Sequence, residues 1–255
     1  MRNVLPAAAE GFARDTSAYV RGRPDFPPAA LGWLQHDLGL GRGKTAIDLG
    51  AGTGKFTRLM LQTGADILAV EPSRPMLDRL TEGLPGINAL RGSAQAIPLA
   101  AASADAVICA QAFHWFATPA ALAEIRRVLK PGGYLGLIWN VRDSSVQWVR
   151  SLTAIMAPHE GDAPRYDHGE WRQVFPAEGF GPLRQRSFPH VHVGPPEHVI
   201  VDRVASVSFI AALPGQASAG VLAQVRAMIA ATPGLADLAS VEFPYVTHAY
   251  WCRTR

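Results

Sequence analysis

AIDLGAGTGKF, residues 46–56, carries apolar residues and an acid into glycines at 50, 52 and 54, then into a stretch with helical spacing. The apolar part reads as a strand, the amphipathic part as a helix and the glycines as the turn between them. A glycine adopts positive φ and lets a backbone or ligand come into contact, at an entropic cost of about 1 kcal/mol in regular structure. Three of them at alternate positions predict close approach by a partner at this turn.

Outward from the turn, residues 45–140 alternate short β-type runs (45–49, 66–71, 87–92, 104–111 and 134–140) with helical patterns. That alternation is the signature of crossover units and a mainly parallel sheet. Phe56, Leu59, Met60 and Gln62 form a one-sided stripe ending at Gly64, and Ser73 caps a helix holding Met76, Leu77 and Leu80. A third helix has Thr118 as N-cap and Pro119 at its first position, places Leu122, Ile125 and Leu129 on one face, and stops at KPGG, residues 130–133. Pro28 opens an earlier helix with Leu31, Leu34 and Leu38 on one side. Beyond Asn140 come a helix at 146–156, a polar linker at 158–169, a strand at 183–193, helical stretches at 200–212 and 222–229, and a last strand at 243–252. The expectation is a single α/β domain over 1–255: a helical cap segment (1–44), a ligand-binding core (45–140), and strands with helical insertions (141–255).

The 255 residues are 48% hydrophobic and 18% charged, a composition that folds. The net charge of +3 is spread without a run of five like charges, so no nucleic-acid footprint is expected. Cys109 and Cys252 have neither disulfide nor metal spacing, which fits a reducing cytoplasm. Pro6 and Glu10 interrupt the N-terminal apolar stretch, and nowhere do 18 apolar residues run together, so neither export nor membrane spanning is expected. His190 and His192 share a strand face but lack a third ligand, so no metal site is predicted.

A dinucleotide-binding fingerprint also follows a first strand, but it reads G-x-G-x-x-G and sets a pyrophosphate at the helix N-terminus. Here the glycines alternate and Asp48 stands two residues ahead of them, a poor neighbour for pyrophosphate and a good one for an ammonium group. Glu71 ends the second strand, where a carboxylate can accept both hydroxyl hydrogens of a ribose. The pair suggests a nucleoside bearing a charged amino acid, S-adenosylmethionine. Structural alternatives stand beside each assignment: Asp48 bracing the loop through backbone amides, Glu71 capping the next turn, Met76 as core.

AIDLGAGTGKFT, AVEPSRPML, RGSAQAIPL, ADAVICAQAFHWF and LKPGGYLGLIWN together resemble the class I S-adenosylmethionine-dependent methyltransferases, in order across residues 45–140. YVRGRPDFP (19–27) and YVTHAYWC (245–252) are similar to a small-molecule branch typified by trans-aconitate methyltransferase, while 141–242 matches only in layout. The resemblance implies a Rossmann-like seven-stranded, mostly parallel sheet with one antiparallel strand and helices on both faces. It implies that Gly50, Ala51 and Gly52 bind the methionine portion and Glu71 the ribose. Pro72 and Met76 then flank the adenine, Ser93, Ala94 and Gln95 reach its polar edge, Gln111 lies beside the methionine end, and Tyr19 folds over as a lid. Gln95 departs from the acid frequent in the family, although its amide oxygen can still accept the adenine amino hydrogen.

The expected reaction is methyl transfer to a small organic acceptor at oxygen, either carboxylate or hydroxyl. An ionised carboxylate needs no base, whereas a hydroxyl must lose a proton. His114, in AQAFHWF at the ligand-facing end of the fourth strand, is the candidate catalytic group, as base or as hydrogen-bond donor, with structural packing as the alternative. Trp115 can wall an acceptor pocket, Asn140 and Arg142 follow the fifth strand, and Arg21 and Arg23 can clamp an acidic group. QAFHW lacks the Pro-Pro-aromatic pattern of base-amino methylation, and Cys109 lacks the preceding proline of a cytosine-C5 nucleophile. Two other readings stay open: an NAD-dependent oxidoreductase, and a non-catalytic S-adenosylmethionine-binding protein that uses the 158–169 linker for contacts.

Overall fold

A computed structural model of the protein describes residues 21–162 and 164–255. Its contacts group the chain into two compact units. The larger takes Phe26–Asn140, Pro164–Phe188 and Thr247–Arg255; the smaller takes the described parts of Met1–Asp25, Val141–Ala163 and Pro189–Val246.

The chain forms one sheet of seven strands, β1 to β4 lying wholly in the larger unit: β1 (Thr45–Leu49), β2 (Asp66–Glu71), β3 (Asn88–Arg91), β4 (Ala104–Ala110), β5 (Leu129–Arg142), β6 (Arg184–Gly194) and β7 (Val241–Arg253). Their order is β3-β2-β1-β4-β5-β7-β6. The pairs β1/β2, β2/β3, β1/β4 and β4/β5 are parallel. β5 meets the β7 end of the chain at Gly133, whose carbonyl accepts from Thr254 N (2.8 Å), and again at Asn140, whose Oδ1 accepts from Thr247 Oγ1 (2.6 Å). These two strands therefore run antiparallel, as the expected fold class requires.

Crossover helices carry the apolar stripes that cover the sheet. α1 (Ala29–Gly32) continues as a π-helical turn at Trp33–Asp37, and α2 (Lys55–Leu61) follows the glycine turn. Trp33, Leu34, Phe56 and Met60 from these helices pack on Ala46, Ile67, Ile108 and Ile138 of the strands. α3 (Arg74–Gly83) buries Met76, Leu77 and Leu80; α4 (Pro119–Val128) buries Leu122, Ile125 and Val128. Thr118 caps α4 as expected, its hydroxyl accepting from Ala121 N at 3.2 Å. Ser73 occupies the N-cap of α3 without a side-chain bond. Gln62 is exposed and Thr63 buried, because α2 ends at Leu61 and the helical period ends with it.

KPGG follows the end of α4 at Val128 as expected, but it lies within a strand and not ahead of one. β5 already begins at Leu129, opposite Ala104, and resumes pairing at Tyr134, opposite Ala106, so residues 130–133 loop out of the strand as a bulge. Asp105 fastens this corner: its carboxylate meets Lys130 (2.7 Å), Lys44 (3.0 Å) and the N–H of Thr45 (3.0 Å).

The smaller unit has its own core. Val149, Leu152 and Met156 of α5 (Gln147–Met156) pack with Val199, Ile200, Phe209, Val225 and Phe243. The predicted 200–212 helix is three short pieces: a π-helical turn at Glu197–Asp202, α6 (Arg203–Ala205) and α7 (Ser208–Ala211). The predicted 222–229 helix is longer, α8 at Gly215–Ala231. Its first residues, Gly215 to Gly220, bury no large apolar side chain and so give no periodic signal; the buried stripe begins at Val221.

Candidate functional site

In an open α/β sheet, ligands bind beyond the strand carboxyl ends where strand order reverses. In the larger unit that reversal lies between β1 and β4. The glycine turn leaves β1 there, and Gln111 to Phe116 leave β4 beside it.

Gly50 (φ +75°), Gly52 (+58°) and Gly54 (+81°) all take the left-handed conformation that glycine accommodates. The N–H groups of Gly50 and Ala51 both donate to the Val70 carbonyl (2.8 and 3.2 Å), pinning the turn to β2. A Cβ on Gly50 would stand 2.8 Å from Cβ of Ala112, so the two connections touch here. A Cβ on Gly52 would meet nothing within 4 Å. The open side of the turn is therefore at Gly52, and close approach is available there.

Glu71 clasps this turn to the next one. Oε2 accepts from Gly52 N (2.9 Å) and Oε1 from Ser73 N (2.8 Å). Burial raises its pKa above the ordinary carboxylate value, and these two N–H groups oppose the rise. Each oxygen retains acceptor capacity for one further hydrogen. The bracing role and the ligand role are thus compatible in one side chain.

Asp48 has no exposed surface, so it lies beneath the turn and not at its open side. The sequence set this acid beside the turn as a neighbour for a ligand ammonium; the structure gives it full burial. Its Oδ2 accepts from Thr57 Oγ1 (2.6 Å), while Oδ1 is buried with no hydrogen-bond partner. The bracing alternative holds with a different partner, a hydroxyl on α2 instead of backbone amides. Burial pushes its pKa up to about 7, against the Thr57 hydrogen bond, and the nearby Glu71 carboxylate adds to the rise.

Pro72, Met76, Ser93, Ala94, Gln95 and Gln111 belong to this same unit. Met76 and Ala94 are buried, Pro72 and Ser93 half-buried, and Gln95 exposed. Gln111 takes a left-handed φ of +57°, uncommon for a side chain-bearing residue. Its N–H donates to the Ile138 carbonyl (2.8 Å) and its Nε2 to the Asn140 carbonyl (3.1 Å), which ties the turn after β4 to β5. Asn140 is buried, and its Oδ1 accepts from Thr247 Oγ1, a bond that holds β7 to β5.

His114 and Trp115 lie in the 3-10 turn Phe113–Trp115, both half-buried. His114 Nδ1 accepts from the indole N–H of Trp139 at 3.1 Å. Trp139 in turn belongs to an aromatic cluster with Trp171, Tyr166 and Tyr250. In the sequence Trp139 stands only as part of the β-type run 134–140. The available signal was its indole N–H, which requires a partner when buried.

Arg21, Arg23 and Arg142 are in the smaller unit. Arg21 Nε pairs with Asp202 (2.8 Å); Arg23 donates to the carbonyl (2.8 Å) and hydroxyl (3.3 Å) of Ser206; Arg142 Nη1 reaches the Met156 sulfur (3.5 Å). These guanidinium groups are engaged with their own unit in the structure. Tyr19 lies outside the described residues. Among the described residues, no group of three or more His, Cys, Asp or Glu could hold a metal ion.

Comparison with known proteins adds sequence and fold relatives. The profile of a family described as a methyltransferase domain matches residues 47–137. An uncharacterised methyltransferase-like protein of Schizosaccharomyces pombe is 37% identical over 242 residues, covering 94% of this chain and 93% of its own. A malonyl-[acyl-carrier protein] O-methyltransferase of Serratia marcescens is 33% identical over 128 residues, 47% of this chain and 49% of its own. Among solved structures, a protein assigned as a type II methyltransferase from Anaeromyxobacter dehalogenans superimposes with a TM-score of 0.65 at 20% identity, covering 91% of this chain and 96% of that one. The last likeness shows the fold.

Proposed function

Since the chain belongs to the class I S-adenosylmethionine-dependent methyltransferases, we propose that it methylates an oxygen, carboxylate or hydroxyl, of a small organic acceptor. Family membership supplies the cofactor, S-adenosylmethionine. The residues at the switch point fit that cofactor: Gly52 presents an open side, and Glu71, while bracing the turn, keeps an acceptor position on each oxygen.

In this reading Glu71 takes the ribose hydroxyls, and Gly50, Ala51 and Gly52 lie along the methionine portion. Pro72 and Met76 flank the adenine, Ser93, Ala94 and Gln95 meet its polar edge, and Gln111 borders the methionine end. Asp48, ionised above about pH 7, acts from beneath the turn through its field on a cation above it. Bound S-adenosylmethionine supplies a methyl group already activated on a sulfonium sulfur. The chain's share is to hold the acceptor oxygen in line and exclude water, a positioning effect of about 7 to 11 kcal/mol in favourable cases. His114 and Trp115, carried from β4 on the turn that touches Gly50, are the side chains assigned to the acceptor.

The O-methyltransferase name of the partial Serratia marcescens relative supports oxygen as the atom methylated. A reducing compartment, the cytoplasm, suits two buried free thiols, Cys109 and Cys252. No described helix is long and apolar enough to cross a membrane. The observation that carries the reading is Glu71 joining the open glycine turn to the start of α3. Its test is a screen with methyl-labelled S-adenosylmethionine against carboxylic acids, alcohols, phenols and amines. Labelled esters or ethers are expected; label in amines alone contradicts oxygen transfer.

A further inference from the structure

The indole N–H of Trp139 can only donate, and it lies 3.1 Å from Nδ1 of His114. Nδ1 is therefore the accepting nitrogen of that ring, and the proton of the neutral imidazole sits on Nε2. A second proton at Nδ1 would set one N–H against another. Neither end of the bond is loose. Trp139 is 1% exposed, with Trp171 and Tyr166 at ring-centroid distances of 4.7 and 5.0 Å. Tyr166 is fixed by its hydroxyl contact with Tyr250 (2.8 Å), and Tyr250 accepts from Arg172 (2.6 Å). On the other side, fully buried Phe113 anchors the His114 turn against Trp171 at 6.5 Å. One aromatic cluster thus holds both donor and acceptor.

We propose that Trp139 is a positioning residue that keeps His114 in the Nε2–H form, so that His114 serves the methyl acceptor as a hydrogen-bond donor and not as its base. This rests on the methyltransferase reading and assigns one of the two roles that reading leaves to His114. A base must take up a proton, and the nitrogen able to do so is the one Trp139 occupies.

The experiment is nuclear magnetic resonance of protein labelled with nitrogen-15 in histidine, the His114 ring being identified by its loss in His114→Gln. A pyrrole-type Nε2 and an imine-type Nδ1 are expected in the parent protein; a proton on Nδ1 overturns the proposal. Trp139→Phe retains an aromatic ring but no donor, and should give a mixture of both tautomers; an unchanged ring pattern overturns the positioning role. If that variant does not fold, the parent spectrum and His114→Gln decide. Glutamine still donates from an N–H but accepts no proton there, so turnover of the acceptor found in the screen should fall by no more than about tenfold. A fall of about 10²–10⁴, the usual worth of a general base, overturns the donor role. Calorimetry with S-adenosylmethionine separates the two levels, since a parent protein that does not bind it contradicts the methyltransferase reading while the ring signals still decide the tautomer.

Discussion

Asp48 shows how burial at a single residue becomes a measurable property. Its pKa is 3.8 without the fold and about 7 within it, so between those values the native state holds a proton that the unfolded chain has released. The unfolded state then binds fewer protons, and stability falls as pH rises from about 4 to about 7. Asp48→Asn preserves an oxygen for Thr57 and carries no charge, so it should flatten that stretch of the curve by an amount on the order of 4 kcal/mol. Tm against pH for both proteins checks it, and parallel curves contradict it. The sequence placed an acid before the glycines and so drew attention to the right residue. It could not reveal which side of the turn the carboxylate occupies, because that depends on Thr57 in the first turn of α2 reaching back to it. Glu71 was more legible, since a strand-terminal acid one strand over from the turn has few other places to go.

At the scale of elements, the glycine turn divides into positions of different kinds. Gly52 needs its φ of +58° but has open space around the missing side chain, whereas Gly50 needs both its φ of +75° and the room taken by Ala112. Gly52→Ala is expected to lose about 1 to 2 kcal/mol of stability from left-handed strain alone. Gly50→Ala should lose more, because strain and overlap with Ala112 act together. Denaturant unfolding of both variants tests the order, and a less stable Gly52→Ala contradicts it. The strands and helices between 45 and 128 were legible because each carries its own stripe, cap or punctuation; Thr118-Pro119 is an example that the structure reproduces. KPGG marked the end of α4 but concealed the start of β5, because glycines that end helices also permit a bulge, and only the pairing of Leu129 with Ala104 reveals the strand. Trp139 stayed hidden for a related reason, its partner being 25 residues away in another connection.

Over the whole molecule, local pattern had least to say. The larger unit recruits 164–188 and 247–255 through strand pairing far along the chain, and no periodicity announces that β7 lies between β5 and β6. The ligand site, by contrast, is assembled from consecutive strand ends and so could be read as a series of short segments. A cofactor that binds only the native protein stabilises it, by about 2.7 kcal/mol at one hundred times its Kd, so a Tm rise with S-adenosylmethionine is expected. The most direct measurement is calorimetric titration of S-adenosylmethionine into the parent protein and into Glu71→Ala. Binding to the parent, weakened in the variant by about 1.5 to 3 kcal/mol as for a charged hydrogen-bond partner, is the predicted result. An identical Kd in the two proteins would show that Glu71 does not hold the ribose.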